Sequence, residues 1–580
     1  MIQILNTKIL VLTTILLLLF PFFTVSCTPQ GEEPPLPTPE NVDQGVYQVK
    51  FNDPKQIILG LGVEIQSDRF GPNYVNSDPI AGAPYELTSS EQKRLATEVV
   101  SGFRYLRLAM GLWFRGTTED RKHIIERYPG QLESIKNLIS DAGIEGISLE
   151  YWSPAPYWKT TDDFRNGTLK SYDPAFLSQF GDALVEDINY LKTNGVHIST
   201  WGLQNEPSLT ATNSLEIHEV GGYSHCYYTP DNYLRTFKSV APKIRAALPN
   251  VEIIVDSWNG NVGSIATAIR RDPVALQYVD AWVYHRIGAD ASTLIEGQSR
   301  YLANSLDIPI YQNEYEYFTH QVEATTGEWR MVNTAQSVMN WMTFIGSQKW
   351  YWLHALKPTN DAGWEGFGLG TYRPLSDNNY NRFPDIAPGT FQHNWRNYNG
   401  LAGFLKYMPW DSQRYEVQED SVRYDQRIMS WKTPEGQRVF VLTNRSAEQF
   451  DFVINLDQER SFLGHRYNRD FVDFSLPSIS GSSTYTIRLE PWSIEFWTEE
   501  LDEISSHIIV PNAKDTGLMG VRRHGNEIQI TNTPLGEDIK IYHLGGQLYK
   551  QVTADTNVMS IPVDSDELLI VKSSQYTFKI

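Results

Sequence analysis

The residues with most chemical promise are two glutamates, each closing a strand-like run. Trp201-Gly202-Leu203-Gln204-Asn205-Glu206-Pro207 ends one run, and Pro309-Ile310-Tyr311-Gln312-Asn313-Glu314-Tyr315-Glu316 ends another. In a parallel barrel, functional side chains gather where strands stop and βα loops begin. Two carboxyl groups flanking one bond suit glycosidic cleavage: one protonates the leaving oxygen while the other attacks or activates water. A single glutamate in such a place is more often a solvated loop acid, but one at each of two strand ends changes those odds. Glu316 competes with Glu314, because residues two apart on a strand face the same side.

These positions require a scaffold of alternating strands and helices, and the chain supplies one. Strand-like runs occur at Ile57–Gly62, Tyr105–Met110, Gly146–Tyr151, Ile198–Leu203, Ile253–Asp256, Ala281–Tyr284, Ile308–Asn313 and Lys349–Leu353. Helical stretches lie between most of them, among them Gln131–Ala142, Pro174–Thr193, Thr229–Ala247 and Met331–Ile345. Ser89–Val100 reads as a further helix capped by Ser89 or Ser90. Eight strand signals in this alternation predict an α/β fold, a closed (β/α)8 TIM barrel, with a doubly wound open sheet as the structural alternative. Beyond Tyr407 the pattern turns to short alternating strands separated by turn residues, the signature of an attached β-sandwich. A small C-terminal all-β module follows.

Composition narrows the setting. The 580 residues carry 49 basic and 69 acidic side chains, a net charge of −20, which argues against nucleic-acid binding and against adhesion to anionic lipid. An aromatic fraction of 12%, with 16 Trp, suits a partner offering flat apolar faces, such as a sugar. Two cysteines, Cys27 and Cys226, exclude a disulfide framework. Ile9–Phe23 is a short apolar run behind Lys8, a signal-peptide core rather than a membrane span. Ser26-Cys27 resembles a bacterial lipoprotein cleavage site with Cys27 as the lipidated residue, although Thr24 departs from the usual Leu and ordinary signal cleavage stays open. Thr28–Glu40 holds five prolines in thirteen residues and reads as an extended tether. An exported protein is expected on either reading, either secreted or held at the outer membrane or cell surface by its N-terminal lipid.

Taken in order, a set of motifs resembles the clan A retaining glycoside hydrolases, and most closely glycoside hydrolase family 30, as an outlying branch. Asn205-Glu206-Pro207 matches the clan's fourth-strand acid/base motif, and Leu106-Arg107-Leu108 its second-strand arginine. Trp152-Ser153-Pro154-Ala155-Pro156-Tyr157-Trp158-Lys159 is similar to the family's segment after the third strand. Pro309 followed five residues later by Glu314 fits the nucleophile strand and places Glu314 ahead of Glu316. Asn397-Tyr398 with Gly403–Pro409, and Glu490-Pro491-Trp492-Ser493, resemble the passage into the family's sandwich and the turn before its last strand. The likeness spans Val46 to Thr498. Departures fall near the sugar-binding floor: Glu64 and Gln66 replace small and hydroxyl residues after Gly60-Leu61-Gly62, while Tyr284-His285 and Trp352-Leu353-His354 match loosely.

The resemblance implies double displacement on a β-linked polysaccharide or oligosaccharide, with β-glucan or xylan favoured. Glu206 would be the protonated acid/base and Glu314 the ionised nucleophile, about 5–5.5 Å apart. Arg107 and the Tyr284 hydroxyl would support Glu314, and Asn205 would bind the sugar 2-hydroxyl. Trp152, Trp158, Trp352 and Trp364 are candidate sugar platforms, and His285 and His354 candidate hydroxyl contacts. The implied organisation is a signal peptide over 1–26, a tether over 27–45, strands lent to the sandwich over 46–58, the barrel over 59–406, the sandwich over 407–500 and the small β module over 501–580. That last module resembles the sorting tails of the gliding-bacterium secretion system in Ile541–Leu548 and Tyr576–Ile580; a plain accessory sandwich is the other reading. Neither cofactor nor metal is expected, since there is no His-Glu-x-x-His, no Gly-x-Ser-x-Gly, and Gly366-Phe367-Gly368-Leu369-Gly370 lacks a phosphate loop's Lys. A monomer is expected. The competing class is a catalytically inactive surface glycan-binding lipoprotein on the same barrel.

Overall fold

The computed structural model describes residues 42–65, 87–208, 224–359, 368–375, 377 and 383–500, together with most of 520–579. The signal peptide, Cys27 and the tether as far as residue 41 lie outside the described residues, as do Gln66, Trp364 and the start of the Gly366–Gly370 loop, while the last tether residues expected, 43–45, open a strand.

Eight parallel strands close into a barrel: Gly60–Glu64, Tyr105–Met110, Gly146–Tyr151, Ile198–Gly202, Glu252–Trp258, Ala281–His285, Ile310–Tyr315 and Lys349–Trp352. The open-sheet alternative is therefore set aside. The Gly-x-Gly of the first strand follows from geometry. Gly60 has φ 143°, and a Cβ on Gly62 would fall within the Tyr351 ring. That strand begins three residues later than expected, because Ile57 and Ile58 end a different strand, Asp43–Ile58, which pairs with Gln413 and Ser412 of the sandwich.

Helices pack outside the barrel on apolar stripes. In Gln131–Ala142, Leu132, Ile135, Leu138 and Ala142 recur at helical spacing and are buried, and Gly143 at φ 71° ends the helix in the left-handed region. Pro230 opens Pro230–Ala247 behind Thr229, whose hydroxyl accepts from the Asn232 amide. The expected Ser89–Val100 helix divides instead into an α-helix, Ser89–Arg94, and a π-helical stretch, Leu95–Val100, which turns Leu95, Ala96, Val99 and Val100 into the core. Thr88, not Ser89 or Ser90, caps it, its hydroxyl accepting from the Glu91 amide at 3.4 Å.

The sandwich is one strongly folded sheet. Asp43–Ile58 runs antiparallel to Ser412–Glu419 and parallel to Phe450–Tyr467, the strand next to the far edge, so the sheet folds back on itself around Tyr47, Phe440, Phe452, Phe462 and Trp497. The C-terminal module has two small antiparallel sheets around Ile528, Ile530, Ile539, Ile541 and Val571. Among the described residues no helix is long and apolar enough to cross a membrane.

Candidate active site

Arg107 organises the C-terminal mouth of the barrel. It is fully buried on the second strand, and each of its nitrogens has a partner. Nη1 donates to Glu314 Oε2 at 2.5 Å, Nη2 to Glu150 Oε2 at 2.6 Å and to Asn205 Oδ1 at 2.8 Å, and Nε to Glu150 Oε2 at 3.2 Å. The guanidinium stacks over the Trp152 ring at 4.4 Å. One cation thus ties the third, fourth and seventh strands together, and arginine's planar fork suits that task where lysine's point charge does not.

Glu206 follows the fourth strand in a conformation its neighbours impose. Its φ is 46°, left-handed and costly for a non-glycine residue, especially one ahead of Pro207. The Asn205 amide donates to the Tyr151 carbonyl at 2.6 Å, and the Glu206 amide to Ser257 Oγ at 3.2 Å. His225 Nε2 lies 3.2 Å from the Glu206 carbonyl. Lys159 holds the segment that carries His225, donating to Ser153 Oγ and to the carbonyls of Phe164 and His225. The Trp152–Lys159 segment is thereby tied to the loops around Glu206, with Gln204 Nε2 also donating to the Trp152 carbonyl at 2.7 Å.

His285 stands between the two carboxyl groups, with Nδ1 2.8 Å from Glu206 Oε1 and 3.5 Å from Glu314 Oε2. Burial lowers its pKa to about 4, so the ring is neutral. Arg107 Nη2 faces Nε2 at 3.5 Å, which assigns the ring proton to Nδ1 and makes it a donor to the carboxyls. Oxygen and nitrogen atoms of Glu206, His285 and Glu314 all lie within 4.8 Å of one another. That spacing would admit a metal ion, but a protonated Nδ1 offers no lone pair and Arg107 brings positive charge to the place, so this donor set does not fit one. Burial, with a contribution from Glu150, pushes Glu206 up to about 8 against the pull of Arg107.

Several sequence expectations are corrected here. Tyr284 does not support Glu314. It points out of the barrel, packs on Tyr301 and Trp341, and its hydroxyl bonds Asn261. His285, the next residue, faces the site instead. Trp352 is fully buried against Tyr315, Tyr317 and Trp350, and Trp158 is buried against Phe176 and Phe180. Trp152 lies beneath Arg107, 2% exposed. None of the three has a face for a sugar. His354 and Glu316 are buried and bonded to each other, Nδ1 to Oε2 at 2.8 Å, so Glu316 is turned to His354 while Glu314 is turned to Arg107 and Glu206.

Two contributors were not anticipated. Glu150 is a lone acid inside the apolar strand Gly146–Tyr151, a signal legible once that strand is known to be buried. Trp113, half-buried at the mouth, donates its indole N–H to Glu64 Oε1 at 2.9 Å.

No protein-family model and no curated protein matches the chain. Solved structures do. A family 30 endoxylanase from Clostridium papyrosolvens superimposes with a TM-score of 0.53 at 14% identity, over 78% of this chain and 100% of its own. A conserved exported protein from Bacteroides fragilis gives 0.60 at 14% identity over 78% and 100%. An endo-β1,6-glucanase gives 0.55 at 14% over 79% and 94%. The chain accordingly shares the fold of these structures, a TIM barrel with an attached sandwich.

Proposed function

We propose that the chain is a retaining glycoside hydrolase cleaving β-linked polysaccharide or oligosaccharide. The observation that carries this is the pairing of Glu206 and Glu314 at the barrel mouth, with carboxyl oxygens within 4.8 Å, one carboxyl on a neutral histidine and the other on a buried arginine. Retaining enzymes keep their carboxyls about 5–5.5 Å apart and inverting enzymes at least about 6.5 Å. Glu206, protonated below about pH 8, gives its proton to the leaving oxygen while Glu314 attacks the anomeric carbon and forms a glycosyl ester. Glu206 then takes a proton from water, which attacks the same carbon and releases Glu314. Asn205, its amide plane fixed by Arg107, would meet the sugar 2-hydroxyl. The xylanase and glucanase among the structural neighbours favour a xylan or β-glucan substrate. Export as a lipoprotein through Cys27, action as a monomer and a sorting role for the C-terminal module belong to the same reading.

The test is a polysaccharide panel with product sizing and NMR of the first-formed anomer. Retention at the anomeric carbon, loss of turnover in Glu314→Gln, and azide rescue of Glu314→Gly with inverted product are expected. Near-wild-type activity in Glu314→Gln overturns the assignment, and sugar binding without turnover would identify a glycan-binding protein.

A further inference from the structure

Glu64 ends the first barrel strand directly beside Arg107, its register partner on the second. Its Oε1 accepts from Trp113 Nε1 at 2.9 Å, and its Oε2 lies 3.4 Å from Arg107 Nη1. That nitrogen is the one donating to Glu314 at 2.5 Å. One arm of the guanidinium therefore faces two carboxyls: the proposed nucleophile and an acid that the double displacement does not use. The distances separate them, since 3.4 Å is long for a charge-assisted bond, whereas Glu314 and Glu150 sit at 2.5 and 2.6 Å.

The surroundings point the same way. Glu64 is 1% exposed. Among the described residues, the charged and titratable groups around it are Arg107 from the second strand, Glu314 from the seventh, Lys357 from Leu356–Pro358, and the Glu316–His354 pair, with Glu150 across the guanidinium. Among the described residues, four buried glutamates, Glu64, Glu150, Glu314 and Glu316, share Arg107 and Lys357, and the neutral His285 adds no charge.

We propose that Glu64 is a positioning residue of the reaction: its uncharged carboxyl, held on the Trp113 indole, fills the place beside the guanidinium and keeps Arg107 Nη1 aimed at Glu314, and on losing its proton to solvent it becomes a rival for that nitrogen and slows turnover. Burial and the neighbouring Glu314 charge push Glu64 up to about 8, against Arg107 and Lys357. The role rests on the reading of Glu314 as nucleophile.

The test compares Glu64→Ala and Glu64→Gln in the full chain, on the polysaccharide that the wild type cleaves. Alanine should lower kcat at least tenfold with KM within threefold, and glutamine, an isostere of the neutral acid, should recover most of that loss. Above pH 8 the wild-type log(kcat/KM) should pass through a region steeper than one per pH unit, as Glu206 and Glu64 both lose protons, and the Glu64→Gln slope should not exceed one. Glutamine as poor as alanine, or a wild-type slope in Glu64→Gln, overturns the role. An independent readout is the Trp113 indole N–H resonance, identified by its loss in Trp113→Phe. It should shift between pH 6 and 9 in the wild type and stay fixed in Glu64→Gln. An active enzyme with a fixed wild-type resonance refutes Glu64 alone, while an inactive chain with a titrating resonance refutes Glu314 as nucleophile and this role with it.

Discussion

His285 Nδ1 lies 2.8 Å from Glu206 Oε1 and 3.5 Å from Glu314 Oε2, so one neutral ring links the two carboxyls of the site. The linkage depends on Arg107, whose Nη2 faces the opposite ring nitrogen. The seventh-strand backbone enforces it too: Gln312 pairs with Tyr284, but a register shift then sets Glu314 opposite His285.

Removing that ring should misplace both carboxyls at once. His285→Phe is expected to lower kcat on the order of 10²-fold, the cost typical of small displacements of reacting groups. His285→Asn, which can still donate to Glu206, should recover part of it. Steady-state kinetics at pH 6 settles the matter, and a phenylalanine variant with wild-type kcat would dismiss the ring's role.

Arg107→Lys should behave as a disruptive change. A lysine cannot serve Glu314, Glu150 and Asn205 together, and breaking a buried ion cluster costs about 3–5 kcal/mol. Denaturant unfolding should show a loss of that order, alongside a fall in kcat. A stability within about 0.5 kcal/mol of wild type, the range of an ordinary surface change, would mean the cluster is not the hub described.

The tryptophans should divide by burial. Trp352→Ala removes a fully buried side chain and should cost about 3–5 kcal/mol of stability. Trp113→Ala, at the mouth, should instead act on kinetics, raising KM and lowering kcat through the Glu64 contact. Thermal melts paired with kinetics distinguish the two, and a soluble, stable Trp352→Ala with altered KM would restore Trp352 as a platform.

Stability should fall as pH rises. Glu64 and Glu206, raised to about 8, and Asp256, raised to about 7, keep protons in the folded chain that the unfolded chain loses near pH 4. Their contribution is complete below the unfolded value and is lost as pH climbs toward the folded ones, by up to about 1.4 kcal/mol per pH unit for each group. Denaturant midpoints should therefore be higher at pH 5.5 than at pH 8, and Glu206→Gln should flatten the difference. Equal midpoints would show that these acids are not held neutral.

Much of the scaffold was legible because its signals are local. Tyr105–Met110 and Gly146–Tyr151 are near-continuous apolar runs, as a strand buried on both faces requires, and the structure gives them the bounds read from sequence. A glutamate at each of two strand ends, Glu206 and Glu314, was legible for the same reason, since a strand end is written in neighbouring residues, whereas the preference for Glu314 over Glu316 came from the resemblance to family 30. The supporting cast was less legible. Glu150 and Glu64 reach Arg107 from other strands, 43 positions away in each direction. Tyr284 and His285 are adjacent, and which one faces inward depends on a register shift that alternation does not encode. The tryptophans misled because their spacing put them near the mouth, while packing turned Trp352 and Trp158 into the core.

The sequence by itself determined an exported-looking, acidic chain with eight strand–helix units, a sandwich, a small β tail and two glutamates at strand ends, because apolar period, turn residues and capping act over a few positions. Tertiary structure alone decided what those glutamates face. Closing the barrel brought Arg107, Glu150, Asn205, His285 and Glu64 around them, and burial then fixed which acids keep a proton, since the cost of a buried charge depends on every group that surrounds it.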